Sequence, residues 1–208
     1  MGLENIIQQL QEEAYTYYPK GILDSEPQYY LSSAYLNLQQ TKKEKINLML
    51  NSWLQLVEDI NHQSDGFNIQ VEDWKETLHV DNCFKLVIID KSTAKKLEDC
   101  IRLVLNLSLL IPYYWVHQSL WTPESKIVHK GNYQSVSYNI PTEVAALYDT
   151  LVNLIDNHFP SYQAIHPEIL FTSIEDIMFE GHGQIQGLLS NDNKRMNIFS
   201  AFFSNNYL

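Results

Sequence analysis

The chain has 208 residues, of which 45% are hydrophobic and 19% charged, and its formal net charge is −11. A chain of this size can bury most of its apolar surface without disulfides or metal ions, and its hydrophobicity excludes intrinsic disorder. The negative charge argues against nucleic acid and anionic membranes as partners, because both would repel it. A basic protein is the more compatible partner, although acidity also serves solubility alone.

The first third of the sequence is predicted to be helical. Apolar residues recur at helical spacing over residues 3–14, with glutamine and glutamate between them. A second helix is predicted over residues 28–40. A third is predicted over residues 46–60, where the apolar side chains share one face.

From residue 67 the apolar period changes from about 3.6 residues to two, which predicts strands. The predicted strands span residues 67–71, 84–89, 101–111 and 113–121, and the third alternates over its whole length. Pro112 has no N–H group and interrupts the ladder, so a long bent strand and a bulge are the two alternatives there. Short connections and the lack of repeated βαβ units favour an antiparallel sheet.

The last third of the chain returns to helix and then becomes less regular. A strand is predicted over residues 133–140, a helix at about 142–158 and a short helix within residues 165–177. The glycines around His182 suggest a hairpin. The aromatic residues expected to dock the C-terminus onto the core are Phe199, Phe202 and Phe203.

These elements predict an α+β fold. An antiparallel sheet at about residues 67–140 would pack against the N-terminal helices and the helix at about 142–158. No linker composition divides the chain, so residues 1–208 are interpreted as a single domain. Within it, residues 1–65 form a helical part, and residues 66–208 form the sheet plus helix.

The two cysteines, Cys83 and Cys100, lie in or beside apolar, strand-like runs and form no CxxC pair. They are interpreted as buried thiols of a reducing compartment, and a bridge between them is the alternative for a secreted protein. The first ten residues lack the basic and apolar regions of a signal peptide, so a cytoplasmic location is expected.

No recognisable catalytic or metal-binding motif is present. The seven histidines include no HxH or HxxxH pair, so neither a metal nor a cofactor is predicted, and no catalytic residue is assigned. Glu180 and His182 flank Gly181 and could act as an acid–base pair, but a hairpin also explains the glycines. An enzyme with a dispersed active site, such as a hydrolase using these two residues, is the alternative to a binding protein.

The chain is rich in aromatic residues, with 13 tyrosines and four tryptophans. The residues Tyr113, Trp115, His117 and Trp121 would share one face of a strand. Either a helix covers this face, or it is an exposed patch that binds a partner. Tyrosine and tryptophan are enriched at interface hot spots, and surrounding carboxylates would speed encounter with a basic protein.

Three segments resemble small bacterial immunity proteins of polymorphic and contact-dependent toxin systems. They are the helix leading into Tyr17-Tyr18-Pro19-Lys20-Gly21, the step Ile111-Pro112-Tyr113-Tyr114, and the phenylalanine-rich Asn197-Ile198-Phe199-Ser200-Ala201-Phe202-Phe203. The resemblance implies a cytoplasmic protein that binds and blocks one cognate toxin. It transfers no catalytic residues, because such proteins act by occlusion.

Overall fold

The structure is a computed structural model that describes residues 2–63, 66–92, 101–120, 140, 142–178 and 195–204. Helices combine with a five-stranded sheet and a small two-stranded sheet, which confirms the predicted α+β class. Within these ranges, no helix has the length and apolarity needed to cross a membrane.

The N-terminal part contains three helices, α1 (Leu3–Ala14), α2 (Pro27–Leu31) and α3 (Ser33–His62). The separate helices predicted over residues 28–40 and 46–60 are wrong in their bounds, because most of both lies in the single 30-residue helix α3. The segment between the two predictions is rich in lysine, glutamate and threonine and contains no glycine or proline, so nothing in it interrupts the helix.

The main sheet contains β1 (Ile69–Asp73), β2 (Cys83–Asp90), β3 (Ile101–Ser108), β4 (Tyr113–Leu120) and β5 (Gln163–Ala164), in that spatial order. The first four strands form an antiparallel meander, in agreement with the antiparallel sheet predicted from the short connections. The two-residue β5 pairs parallel to β4, so the sheet is mixed; β5 lies beyond residues 67–140, over which an antiparallel sheet is predicted.

The connection between β3 and β4 is a tight reversal of the chain. Leu107 pairs with Tyr114, so the two strands run antiparallel, and both a bent strand and a bulge are wrong for this segment. The Ser108 hydroxyl accepts hydrogen bonds from the backbone N–H groups of Leu110 (3.2 Å) and Ile111 (3.3 Å), which stabilises the turn. The alternating pattern continues through the turn because its leucines are also buried.

The C-terminal part begins with a 3-10 turn that leads into a helix, in agreement with the helix predicted at about 142–158. The predicted short helix within residues 165–177 is also confirmed. Residues 133–139 of the predicted strand over 133–140 lie outside the described residues, as does the hairpin around His182. The elements are α4 (Ala145–His158), α5 (Pro167–Leu170), β6 (Ser173–Met178), β7 (Arg195–Asn197) and α6 (Ile198–Phe202).

Apolar clusters cover both faces of the sheet. On one face, α3 and α4 pack against β2 and β3, and the indole ring of Trp53 stacks on Phe84 with 4.8 Å between the ring centroids. On the other face, the end of the sheet at Cys83 and Trp115 packs in one cluster with residues of α1, α5, β6 and α6. Docking of the C-terminal aromatic residues is confirmed, because Phe199, Phe202 and Phe203 are fully buried there.

Candidate functional site

The sheet face chosen as a candidate partner-binding patch is mostly buried. Trp115 is 3% exposed and His117 is 1% exposed, while Tyr113 is half-buried and Trp121 lies outside the described residues. Trp115 and His117 therefore lie on a covered part of this face, and they do not form an exposed patch. No partner can reach these two side chains in this conformation.

Aromatic residues from the C-terminal part cover Trp115. Its indole lies edge-on to Phe199 of α6, with 5.2 Å between centroids, and to Phe171 at 6.0 Å. The predicted helix α4 packs on the opposite face of the sheet. The covering residues lie more than fifty positions further along the chain, so local periodicity could not reveal them.

The same face contains a cluster of charged and polar side chains, which we call the buried polar cluster: Asp81, Lys85, Asn106, His117 and Ser204. The Lys85 ammonium group donates to Asp81 Oδ2 (3.3 Å) and to Ser204 Oγ (3.1 Å). The Ser204 hydroxyl donates in turn to Asp81 Oδ1 at 2.6 Å. All five side chains are at most 2% exposed. The cluster is thus an ion pair bridged by a hydroxyl and closed to solvent.

His117 is the clearest candidate for acid–base chemistry in this cluster. Its ring stacks on Trp115 with 3.9 Å between centroids, and its two ring nitrogens have no hydrogen-bond partner. Burial, and then the positive charge of Lys85, lower its pKa from 6.5 to about 3. The imidazole is therefore neutral at physiological pH. It is also enclosed, so it cannot exchange protons with a substrate in this conformation.

Cys83 begins β2 beside this cluster. Its thiol donates to Asn106 Oδ1 at 3.7 Å, and burial raises its pKa far above the usual range. The thiol is therefore protonated and a poor nucleophile or metal ligand. The prediction of a buried thiol is confirmed for Cys83, whereas Cys100 lies outside the described residues. Among the described residues, no group of three His, Cys, Asp or Glu side chains could hold a metal ion.

The C-terminal segment Ile198–Ser204, which we call the C-terminal strap, closes the cluster. Tyr18 donates to the carbonyl of Ala201 at 2.6 Å, and the Asn82 amide group donates to the same carbonyl at 2.8 Å. The Asn82 backbone N–H donates to the Phe203 carbonyl at 2.7 Å. These bonds satisfy buried carbonyl groups of the strap, so this part of the polar interior serves to hold the strap in place.

A small cleft lies beside β4, between α4 and the segment that begins with β5. Its volume is ≈ 110 Å³, below the roughly 300 Å³ at which small-molecule pockets begin. Burial raises the pKa of Tyr114 in its wall to about 12, so that phenol is uncharged. None of the described residues that line the cleft has a charged side chain that could orient a polar substrate. Its lining residues include Tyr114, Val116, Ile140, Tyr148 and Ile165.

In the part of the chain that the structure describes, an exposed apolar surface lies where α2 meets α3, and we call it the α2–α3 corner. Its members are Tyr30 (49% exposed), Leu31 (78%) and Leu36 (58%). The rings of Tyr30 and Tyr35 meet edge to face with centroids 5.1 Å apart, and both contact the buried Tyr29. Sequence reasoning missed this surface, although the tyrosine pair followed by leucine was the available signal.

Glu180 and His182, the candidate acid–base pair, lie outside the described residues, so their pairing stays a prediction. Comparison with known proteins gave no match: no family model, no curated protein and no solved structure is similar to this chain.

Proposed function

We propose that this protein acts by binding another protein with a basic surface, and that it neutralises a cognate bacterial toxin by occluding it in the cytoplasm. The observation that supports binding is the exposed apolar α2–α3 corner on a chain with a net charge of −11. Apolar side chains buried in an interface stabilise a complex, and opposite charges on the two partners speed its formation.

The state of the ionisable groups in the core favours binding over catalysis for the described part of the chain. Asp81 and Lys85 neutralise each other, the Cys83 thiol is protonated, and His117 is an enclosed neutral imidazole. An active site needs groups of this kind in contact with a substrate. Here they are sealed by the C-terminal strap, which supports the outer surface as the place where the described part of the chain acts. The toxin as partner rests on the resemblance to immunity proteins.

The proposal is tested by co-expressing the chain with each toxin-like product encoded beside its own gene. We expect one product to arrest growth alone and to be tolerated together with this chain. With the purified pair, toxin activity should fall linearly and reach zero at one equivalent, because occlusion is stoichiometric. The complex should also weaken as NaCl is raised.

Two results would contradict this function. Rescue from none of the neighbouring products, together with no complex at low salt, would remove the toxin as partner. Inactivation by far less than one equivalent would show turnover, and would replace occlusion with an enzymatic reaction.

A further inference from the structure

The α2–α3 corner is held in place by a defined junction. The Ser32 hydroxyl donates to the Tyr29 carbonyl at 2.7 Å and accepts from the Tyr35 backbone N–H at 3.1 Å, so it joins the end of α2 to the first turn of α3. Tyr30 and Leu31 therefore project from a fixed backbone. A preorganised surface loses less conformational entropy on binding than a mobile one.

The segment of chain that forms the corner carries charge of one sign. Between Gly21 and Thr41 the only charged residues are Asp24 and Glu26, and no lysine, arginine or histidine occurs. Glu26 is held in place because its carboxylate accepts the backbone N–H of Leu23 at 3.0 Å. Asp24 lies close enough to Tyr29 for its charge, after burial, to raise the pKa of that phenol.

Tyrosine rings add a second attraction for cations. The chain itself contains an example, since the Lys20 ammonium group lies 3.4 Å from the centroid of the Tyr15 ring. Contacts of this kind are attractive even at exposed sites. The ring of Tyr30 is half-exposed and contacts Tyr29, whose phenol lies within reach of the Asp24 charge, so it offers the same contact to a lysine or arginine from outside.

We infer that the α2–α3 corner is the docking surface for a basic protein, on which lysines or arginines surround an apolar side chain. This inference rests on the proposed function and names the surface that performs it. The apolar side chain would lie against Leu31 and Leu36, and the cations would face Tyr30, Asp24 and Glu26.

Leu48 provides a matched control for this surface. It is 74% exposed, close to the 78% of Leu31, but it lies more than three turns along α3 from Leu36 and points about 120° away around the helix. A Leu31→Ser/Leu36→Ser double variant should weaken the Kd for the cognate toxin by about 10- to 100-fold. Leu48→Ser should change it less than about threefold, and all variants should keep the wild-type Tm. Equal losses in the two variants, or no loss in the double variant, would overturn the inference.

A second measurement needs no identified toxin. NMR spectra of leucine methyl groups are recorded with a synthetic peptide of alternating lysine and leucine, and with its glutamate and leucine counterpart. Shifts confined to Leu31 and Leu36, and seen only with the lysine peptide, support the inference. Shifts centred on Leu48, or equal shifts with both peptides, overturn it. Concentration-dependent shifts of Leu31 and Leu36 without peptide would assign the surface to a second copy of this chain, and would also overturn it.

The two proposals fail in distinguishable ways. If wild-type protein rescues cells and Leu31→Ser/Leu36→Ser rescues equally well, the docking surface is wrong and the function stands. If no toxin is neutralised but the lysine peptide still binds at Leu31 and Leu36, the surface stands without its proposed role.

Discussion

Replacing Lys85 with methionine removes the cation from the buried ion pair and leaves the rest of the cluster intact. The Asp81 carboxylate would then keep the hydrogen bond from Ser204 but lose its contact with the ammonium group at 3.3 Å. Because the aspartate is only 2% exposed, water cannot replace the lost partner without opening the C-terminal strap. The unfolded state hydrates the carboxylate fully, so the substitution lowers the free energy of unfolding.

Removal of one partner from a buried pair costs about 3–5 kcal/mol. Lys42 lies near enough for the Asp81 charge to oppose the lowering of its pKa by burial, so a second cation partly compensates. We therefore expect Lys85→Met to lower the free energy of unfolding by about 3 kcal/mol. Asp81→Asn removes the carboxylate that neutralises the Lys85 ammonium group, and should lower the free energy of unfolding by about 3–5 kcal/mol. The double variant should lose far less free energy of unfolding than the two single variants together, because it leaves neither Asp81 nor Lys85 as a buried charge without its partner.

The assay is urea unfolding followed by the fluorescence of the buried tryptophans, with the slope of the transition checked for constancy. Lys43→Met is the control, since it removes an exposed lysine and should change the free energy of unfolding by less than about 0.5 kcal/mol. If a charge variant is too unstable to fit, Ser204→Ala tests the same cluster at an expected cost of about 1–3 kcal/mol. The reasoning would be refuted if each single variant lost less than about 1 kcal/mol of the free energy of unfolding. It would also be refuted if the two losses simply added in the double variant, because an interacting, solvent-excluded pair cannot behave in that way.

Three further predictions concern neighbouring groups. Because the folded pKa of His117 is about 3 against 6.5 when exposed, stability should be complete above pH 6.5 and fall between pH 6.5 and 3. His117→Phe should therefore remove about 2 kcal/mol of the stability lost between pH 7 and 5, measured by urea unfolding; an unchanged pH dependence would contradict the burial of a neutral imidazole. In a Cys100→Ser background, Cys83 should react with a thiol reagent only at the rate of unfolding, and rapid labelling of native protein would show that the thiol is accessible. Tyr18→Phe should lose about 1–3 kcal/mol, since it leaves the Ala201 carbonyl with one donor fewer, and an unchanged urea midpoint would argue against that hydrogen bond.

Local pattern correctly predicted the element type of β2, β3 and α4. Alternation along β2 and β3 and helical spacing in α4 gave the right element types, because the solvent-to-core gradient acts on each residue separately. The chain reversal between β3 and β4 was missed because its leucines continue the alternation through the turn. Only the pairing of Leu107 with Tyr114 reveals that reversal.

The candidate site shows the limit of such reasoning. Tyr113, Trp115 and His117 were correctly seen as neighbours on one face, but whether that face meets solvent depends on segments far away in the sequence. Phe199 and Phe171 cover it, and the strap that supplies Phe199 also brings Ser204 to Lys85. Exposure of the α2–α3 corner is a tertiary property of the same kind, since Tyr29 is buried and the adjacent Tyr30 is not.

The amino-acid sequence alone determined the α+β class, the antiparallel character of the sheet and the acidic net charge, because these follow from local periodicity, short connections and composition. The order of the strands came from the tertiary structure. Tertiary structure decided which polar groups are enclosed and which apolar groups are exposed. Asp81, Lys85 and Ser204 are brought together over more than a hundred positions, and their chemistry depends on the water excluded when the C-terminal strap packs over them.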